Sequence, residues 1–229
     1  MIIINKIQVW LVALVMFSGL IYTAGCRHDN ELLISNGTKI ERGTQKLSLS
    51  DPTVSYDKSH GNVEWSTAYL GGLSSLTGRF NTFGITSFNF DESNPGGINF
   101  EAYVWINSVN TSEPGRDGGC LQTTYGTTTA MTTETANVAT LKSKSVELST
   151  TDKGYIVKCD LTFHGVTKEI SGKLMYDGMA TTGAGATLKN VYGFSFDFQF
   201  LSKSDFLITS NNIADKIDVR CNAIFRQIP

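Results

Sequence analysis

The chain has little of what catalytic and metal centres are usually built from. Among its 229 residues there are three histidines and four cysteines. His28, His60 and His164 are scattered, no HExxH occurs and no cysteines pair as CxxC, so zinc has no ligand set at a working spacing. Positive charge is not in surplus either. Nineteen Lys and Arg against 21 Asp and Glu give a formal charge of -2, with no long run of one sign, which argues against nucleic acid as a partner. Charged residues make up only 17% against 41% hydrophobic, a mix too apolar for a disordered chain. GAGATL lacks the third glycine of a dinucleotide loop, and GFSFD places Asp197 where a nucleophile elbow needs glycine.

The N-terminus is different material. MIIINKIQVWLVALVMFSGLIYTAG carries one charge, Lys6, ahead of an apolar run from Ile7 to Tyr22 that ends in small residues. The run is short for a membrane span, which needs about 20 apolar residues, and it has the layout of an export signal. It stops at Thr23-Ala24-Gly25-Cys26, which resembles a bacterial lipobox with Thr23 where leucine is usual. Residues 1–25 are therefore expected to be a lipoprotein signal peptide and Cys26 the lipidated N-terminus, with a plain secretory peptide or a retained anchor helix as alternatives. Residues 26–50 are polar and aperiodic and are expected to tether a domain that begins near Asp51 and runs to the C-terminus. Cys120, Cys159 and Cys221 remain, an odd number that allows at most one internal disulfide. Buried free thiols are the expected state.

Beyond Asp51 one segment after another alternates with the period of a strand. In GFSFDFQF, residues 193–200, Phe194, Phe196, Phe198 and Phe200 share one face and Ser195, Asp197 and Gln199 the other. In INFEAYVWI, residues 98–106, Phe100, Ala102, Val104 and Ile106 oppose Glu101, Tyr103 and Trp105. DKIDVRCNAIF sets Ile217, Val219, Cys221, Ala223 and Phe225 against Asp218, Arg220 and Asn222. NVEWSTAY, GRFNTF, SFNFD, ANVATLKSKSVEL and EISGKLMY follow more loosely. Together they predict about eight strands in an all-β, antiparallel barrel or sandwich. The Thr-rich run at 123–136 is read as a loop or distorted helix, and residues 181–188 as a hairpin connection.

One stretch, CDLTFHG at 159–165, sets a cysteine, an aspartate and a histidine close together in sequence. On a strand, Cys159 shares its face with Tyr155, Val157, Leu161 and Phe163, while Asp160 and His164 lie on the other, and the chain should turn at His164-Gly165. The three side chains then cannot meet, and an apolar row makes a thiol inert. No catalytic residue and no metal site is assigned. Arg116 beside Asp117 could contact an anionic headgroup, although a structural ion pair is the more ordinary role for such neighbours.

YDKSHGNVEW at 56–65, GRFNTF, SVNTSEPGRDG at 108–118, YIVKCDLTFHGVTKEI at 155–170, KSDF at 203–206 and a closing alternating strand occur in an order that resembles the YceI-like family, over about Thr53 to Phe225. The resemblance implies a lipocalin-like antiparallel β-barrel of exported bacterial proteins. Such a barrel holds a long isoprenoid or related amphiphile, quinones included, in its interior without catalysis or a further cofactor. It also implies a cavity wall, here Trp65, Phe80, Phe100, Val104, Leu161, Phe163, Phe194, Phe196, Phe198, Val219 and Phe225. A cell-envelope lipoprotein that binds such a lipid, and that stores or moves it, is the expected function. A surface adhesin or glycan binder using Tyr103 and Trp105 on the outer face, or a lipid-modifying enzyme, are the alternatives.

Overall fold

The computed structural model describes residues 44–120, 124–126, 137–211 and 213–228. The chain divides into two compact units, residues 1–37 and 38–229, and all the described residues belong to the second. The apolar leader, Cys26 and most of the Thr-rich run lie outside the described residues.

Twelve strands are described: β1 (Lys46–Ser48), β2 (Val54–Tyr56), β3 (Asn62–Tyr69), β4 (Ser74–Phe80), β5 (Phe83–Asp91), β6 (Asn99–Trp105), β7 (Val109–Asn110), β8 (Val138–Leu148), β9 (Tyr155–Phe163), β10 (Val166–Thr182), β11 (Lys189–Leu201) and β12 (Ile213–Gln227). A short helix, α1 (Pro114–Gly119), follows β7. The strands form one antiparallel sheet in the order β1-β5-β6-β8-β9-β10-β11-β12-β3-β4-β7, with β2 also on β12, curled into a half-barrel. The phenylalanines of β11 and the apolar row of β9 point inward, as their alternation requires. His164 (φ 52) and Gly165 (φ 74) make the two-residue turn between β9 and β10, both left-handed as a tight hairpin demands.

The twelve strands exceed the eight or so expected, chiefly through three short ones, β1, β2 and β7, each too brief for a period-two pattern to register. β1 also lies in the stretch read as tether. Lys46 to Ser48 pair with Asp91 to Asn89, Leu47 is buried, and Lys46 Nζ meets Asp91 Oδ2 at 2.8 Å, so the packed body begins before Asp51. GRFNTF is not one strand but the end of β4, a turn at Asn81-Thr82 and the start of β5. A register shift between Ile85 and Ser87 puts a bulge in β5, which lets Phe83 and Ile85, then Phe88 and Phe90, all face inward despite the change of parity.

β4 and β5 are joined by two residues, yet lie near opposite ends of the sheet order, so the curl brings the two margins together at that turn. Backbone bonds from Asn81 N to Ser108 O (2.9 Å) and from Trp105 N to Thr82 O (2.8 Å) hold it there. At the other end β1 on β5 and β2 on β12, only five residues apart, bridge the margins again. Between these staples the margins share no ladder, which leaves a seam.

Where the interior is tight, glycine makes room. A methyl on Gly78 would stand 2.6 Å from Trp65 Cζ2, and one on Gly172 would overlap the Phe196 ring and stand 3.0 Å from the Asp197 carbonyl. Gly172→Ala is therefore expected to lower stability by about 1–3 kcal/mol, the usual range for overpacking, read as a lower denaturant midpoint at unchanged slope.

Candidate functional site

Inside the curled sheet lies a cavity of about 150 Å³. Large residues line it beside small ones: Ala102 and Ala139 leave space next to Val104 and Leu141, their cross-strand partners, and Ala223 does the same next to Phe194. None of the described residues that line it is charged. A lining of this kind suits apolar guests, since engineered apolar cavities of about 150 Å³ take up benzene.

Ten of the eleven residues expected on the wall lie on it: Trp65, Phe80, Phe100, Val104, Leu161, Phe163, Phe194, Phe196, Phe198 and Val219. Phe225 does not. It is 0% exposed and packs in a cluster that fills one end of the barrel, stacked on Phe88 at 4.4 Å and edge-on to Phe194 at 5.7 Å. Phe90 joins this cluster through Phe194 (4.8 Å), Tyr176 (5.5 Å) and Tyr155 (5.6 Å). A second aromatic group, Tyr125, Phe163, Phe200 and Phe206, sits around the β9–β10 and β11–β12 connections. Phe225 and Phe198 look alike in sequence because both alternate inward; only depth along the barrel separates packing from wall.

Arg116 is not on the wall. Its Nε donates to Thr111 Oγ1 at 2.9 Å and a terminal nitrogen to the Thr111 carbonyl at 2.6 Å, while Asp117 Oδ1 accepts from Thr111 N at 2.8 Å. The two neighbours fasten α1 to β7 through one threonine instead of reaching a headgroup.

The Cys159, Asp160 and His164 side chains do not assemble. Cys159 is 0% exposed among the apolar residues, and burial pushes its thiol up to about 12, so it carries no thiolate at neutral pH. Asp160 meets Lys144 at 3.3 Å on the opposite face, and His164 Nδ1 lies 3.2 Å from the Phe206 carbonyl. Cys120 and Cys221 are free as well, and burial raises Cys221, which lines the cavity, to about 12.

Some wall residues escaped the sequence reading. Tyr103, expected outside, is half-buried and lies across Gly84, whose Cβ would stand 2.8 Å from its ring, and it lines the cavity at the seam. Trp105, also expected outside, is half-buried too. Tyr56 and Phe83 line the same flank. The signal for Tyr103 was available: Gly84, one residue into β5, leaves room for a ring on the paired strand.

Depth along the barrel predicts opposite effects for two phenylalanines. Phe225→Leu should lower stability by about 1–3 kcal/mol and leave uptake of an environment-sensitive apolar dye nearly unchanged. Phe198→Leu should weaken dye uptake several-fold with the smaller loss of stability, which paired denaturation and dye titrations would read.

Comparison with known proteins agrees with this architecture. A family model described as the YceI-like domain matches residues 55–225. Among solved structures, BcnA of Burkholderia cenocepacia superimposes with a TM-score of 0.57 at 14% identity, covering 74% of this chain and 99% of that one. The Campylobacter jejuni YCEI protein gives 0.54 at 22% identity, covering 69% and 88%. A polyisoprenoid binding domain from Saccharophagus degradans, implicated in plant cell wall breakdown, gives 0.51 at 18% identity, covering 77% and 99%. No curated protein matches the sequence significantly. With the match covering most of the chain and the half-barrel in place around its cavity, the chain belongs to the YceI-like domain family.

Proposed function

We propose that this protein is a lipid container: it binds one amphiphile with a long apolar tail, of the isoprenoid kind or similar, inside the barrel. The observation that carries the reading is the uncharged, aromatic-rich cavity at the centre of a YceI-like fold. The polyisoprenoid-binding domain whose fold it shares supports the choice of tail. Each methylene-sized group buried contributes about 0.8 kcal/mol, so a five-carbon unit contributes about 4 kcal/mol before association costs of at least that size. Several units must therefore be buried for useful affinity. The cavity as it stands encloses a benzene-sized volume, so a longer chain has to displace wall side chains. Phe80, Phe83 and Phe200 are only half-buried and are the ones with room to swing.

Storage or movement of the lipid, with no reaction performed on it, is part of the same proposal, as is attachment to a bacterial cell-envelope membrane through lipidated Cys26. Tethering would keep the barrel beside the membrane that supplies its ligand. Cys26→Ala should leave the precursor uncleaved and unlipidated, read by its mass; normal processing of that variant would refute the anchor.

The container itself is tested by native mass spectrometry and lipid extraction of the purified protein, then by titration of delipidated protein with a polyprenol. Trp65 lines the cavity and Trp105 does not, so in a Trp105→Phe variant the indole emission near the barrel reports cavity filling. Co-purified lipid and a saturable emission change are expected. No extractable lipid and no response to isoprenoid, quinone or acyl amphiphile would overturn the reading.

A further inference from the structure

Polar groups occur at several points of the cavity wall, Tyr125, Thr140 and Ser195 among them, but four lie together. Tyr56 of β2, Asn62 of β3, Tyr103 of β6 and Asn222 of β12 line it where the sheet margins approach each other. Two glycines, one on each side of the seam, let them converge. A Cβ on Gly61 would stand 2.6 Å from Tyr56 Oη, 3.1 Å from the Asn222 carbonyl and 3.2 Å from Phe83 Cε2; one on Gly84, the residue after Phe83, would stand 2.9 Å from Tyr103 Oη. The Asn222 amide donates to Asn62 Oδ1 at 2.8 Å, and Asn62 in turn donates to Glu64 Oε1 at 2.9 Å, which fixes both asparagines. Of the charges beside this flank, Glu64 accepts from Asn62, and Asp57, adjacent to Tyr56, pairs with Arg226 and lies 2.7 Å from His60 Nδ1. Burial, the main cause, raises Tyr56 to about 12, so its phenol stays a neutral donor at any physiological pH.

We propose that Tyr56 and Tyr103, with Asn62 and Asn222 beside them, form a site for the polar end of the ligand, and that this end is an uncharged oxygen-bearing group such as an alcohol, a quinone carbonyl or an amide. The proposal rests on the container reading. Phenols and amides can donate to and accept from such a group. A phosphate, pyrophosphate or carboxylate would meet no cation on the described wall and would lose its hydration without an ionic partner. The seam suits a polar end also because the unladdered sheet margins lie on either side of it.

The test uses the full chain in mild detergent and three probes of similar tail: squalene, a polyprenol and the matching polyprenyl phosphate. Polyprenol is expected to bind at least about tenfold more tightly than either of the others, the scale of one or two neutral hydrogen bonds. In Tyr56→Phe/Tyr103→Phe the polyprenol affinity should fall to that of squalene while squalene binding is unchanged. Binding of the phosphate as tight as that of the alcohol would overturn the site, in wild type and without reliance on any variant. So would an unchanged polyprenol-to-squalene ratio in a folded double variant. If squalene and polyprenol both fail to bind, the container reading itself falls, and this site with it.

Discussion

The structure depends on one constraint: β4 and β5 are two residues apart in sequence but belong to opposite margins of the same sheet. A flat sheet could not satisfy that link. Curling is the only way to bring its two edges to one turn, and a curled sheet has an inside. The same constraint leaves a seam, because strands that diverge from a tight turn without pairing cannot share a ladder. The chain limits this liability with short segments. β1 on β5 and β2 on β12 close one end, and the contacts of Asn81 and Thr82 with Trp105 and Ser108 close the other. Strands of three residues would contribute little alone; here they join edges that long strands already position.

The interior divides its side chains between two tasks that conflict. The Phe88, Phe90, Phe194 and Phe225 cluster is packed ring against ring, as native interiors are, although Phe88 and Phe194 also border the cavity. Next to it, Ala102, Ala139 and Ala223 stand where larger residues would complete the core. Space kept empty forgoes the dispersion contacts that a filled core would have. A ligand tail restores them, so occupancy and stability are coupled through the same contacts. The filled end supplies the rigidity and the open region the function.

Much of this was legible in the sequence, and the reason is periodicity. β9 alternates without interruption over its nine residues and β11 from Tyr192 to Leu201, so their inward faces could be read directly. What escaped was whatever breaks the period or does not last long enough to set one. The bulge at Thr86 shifts parity inside β5, and β1, β2 and β7 are too short to show a pattern. Depth was hidden as well: alternation says that Phe198 and Phe225 both point inward, but not that one borders a void and the other fills the end. Tyr103 and Arg116 show the remaining limit. Tyr103 sits on the polar side of its strand's alternation, yet Gly84 and the seam let its ring reach the cavity; Arg116 and Asp117 turned out to share Thr111, a contact set by the path of a loop.

A cavity with polar atoms on one flank behaves differently from an evenly greasy one. In an evenly apolar tube an amphiphile can slide or reverse with little change in buried area, because hydrophobic burial is non-directional. Hydrogen-bonding groups gathered at the seam reduce that degeneracy, since a polar end left against the apolar stretches of the wall would be buried without partners, at a cost of about 1–3 kcal/mol. The tail then supplies affinity and the seam sets register and direction. The arrangement also eases exit, because the polar end sits where the sheet is least bonded and can be rehydrated before the tail has moved. The margin that the β4–β5 link prevents from pairing is thus a part of the wall where a cluster of polar groups is compatible with the fold.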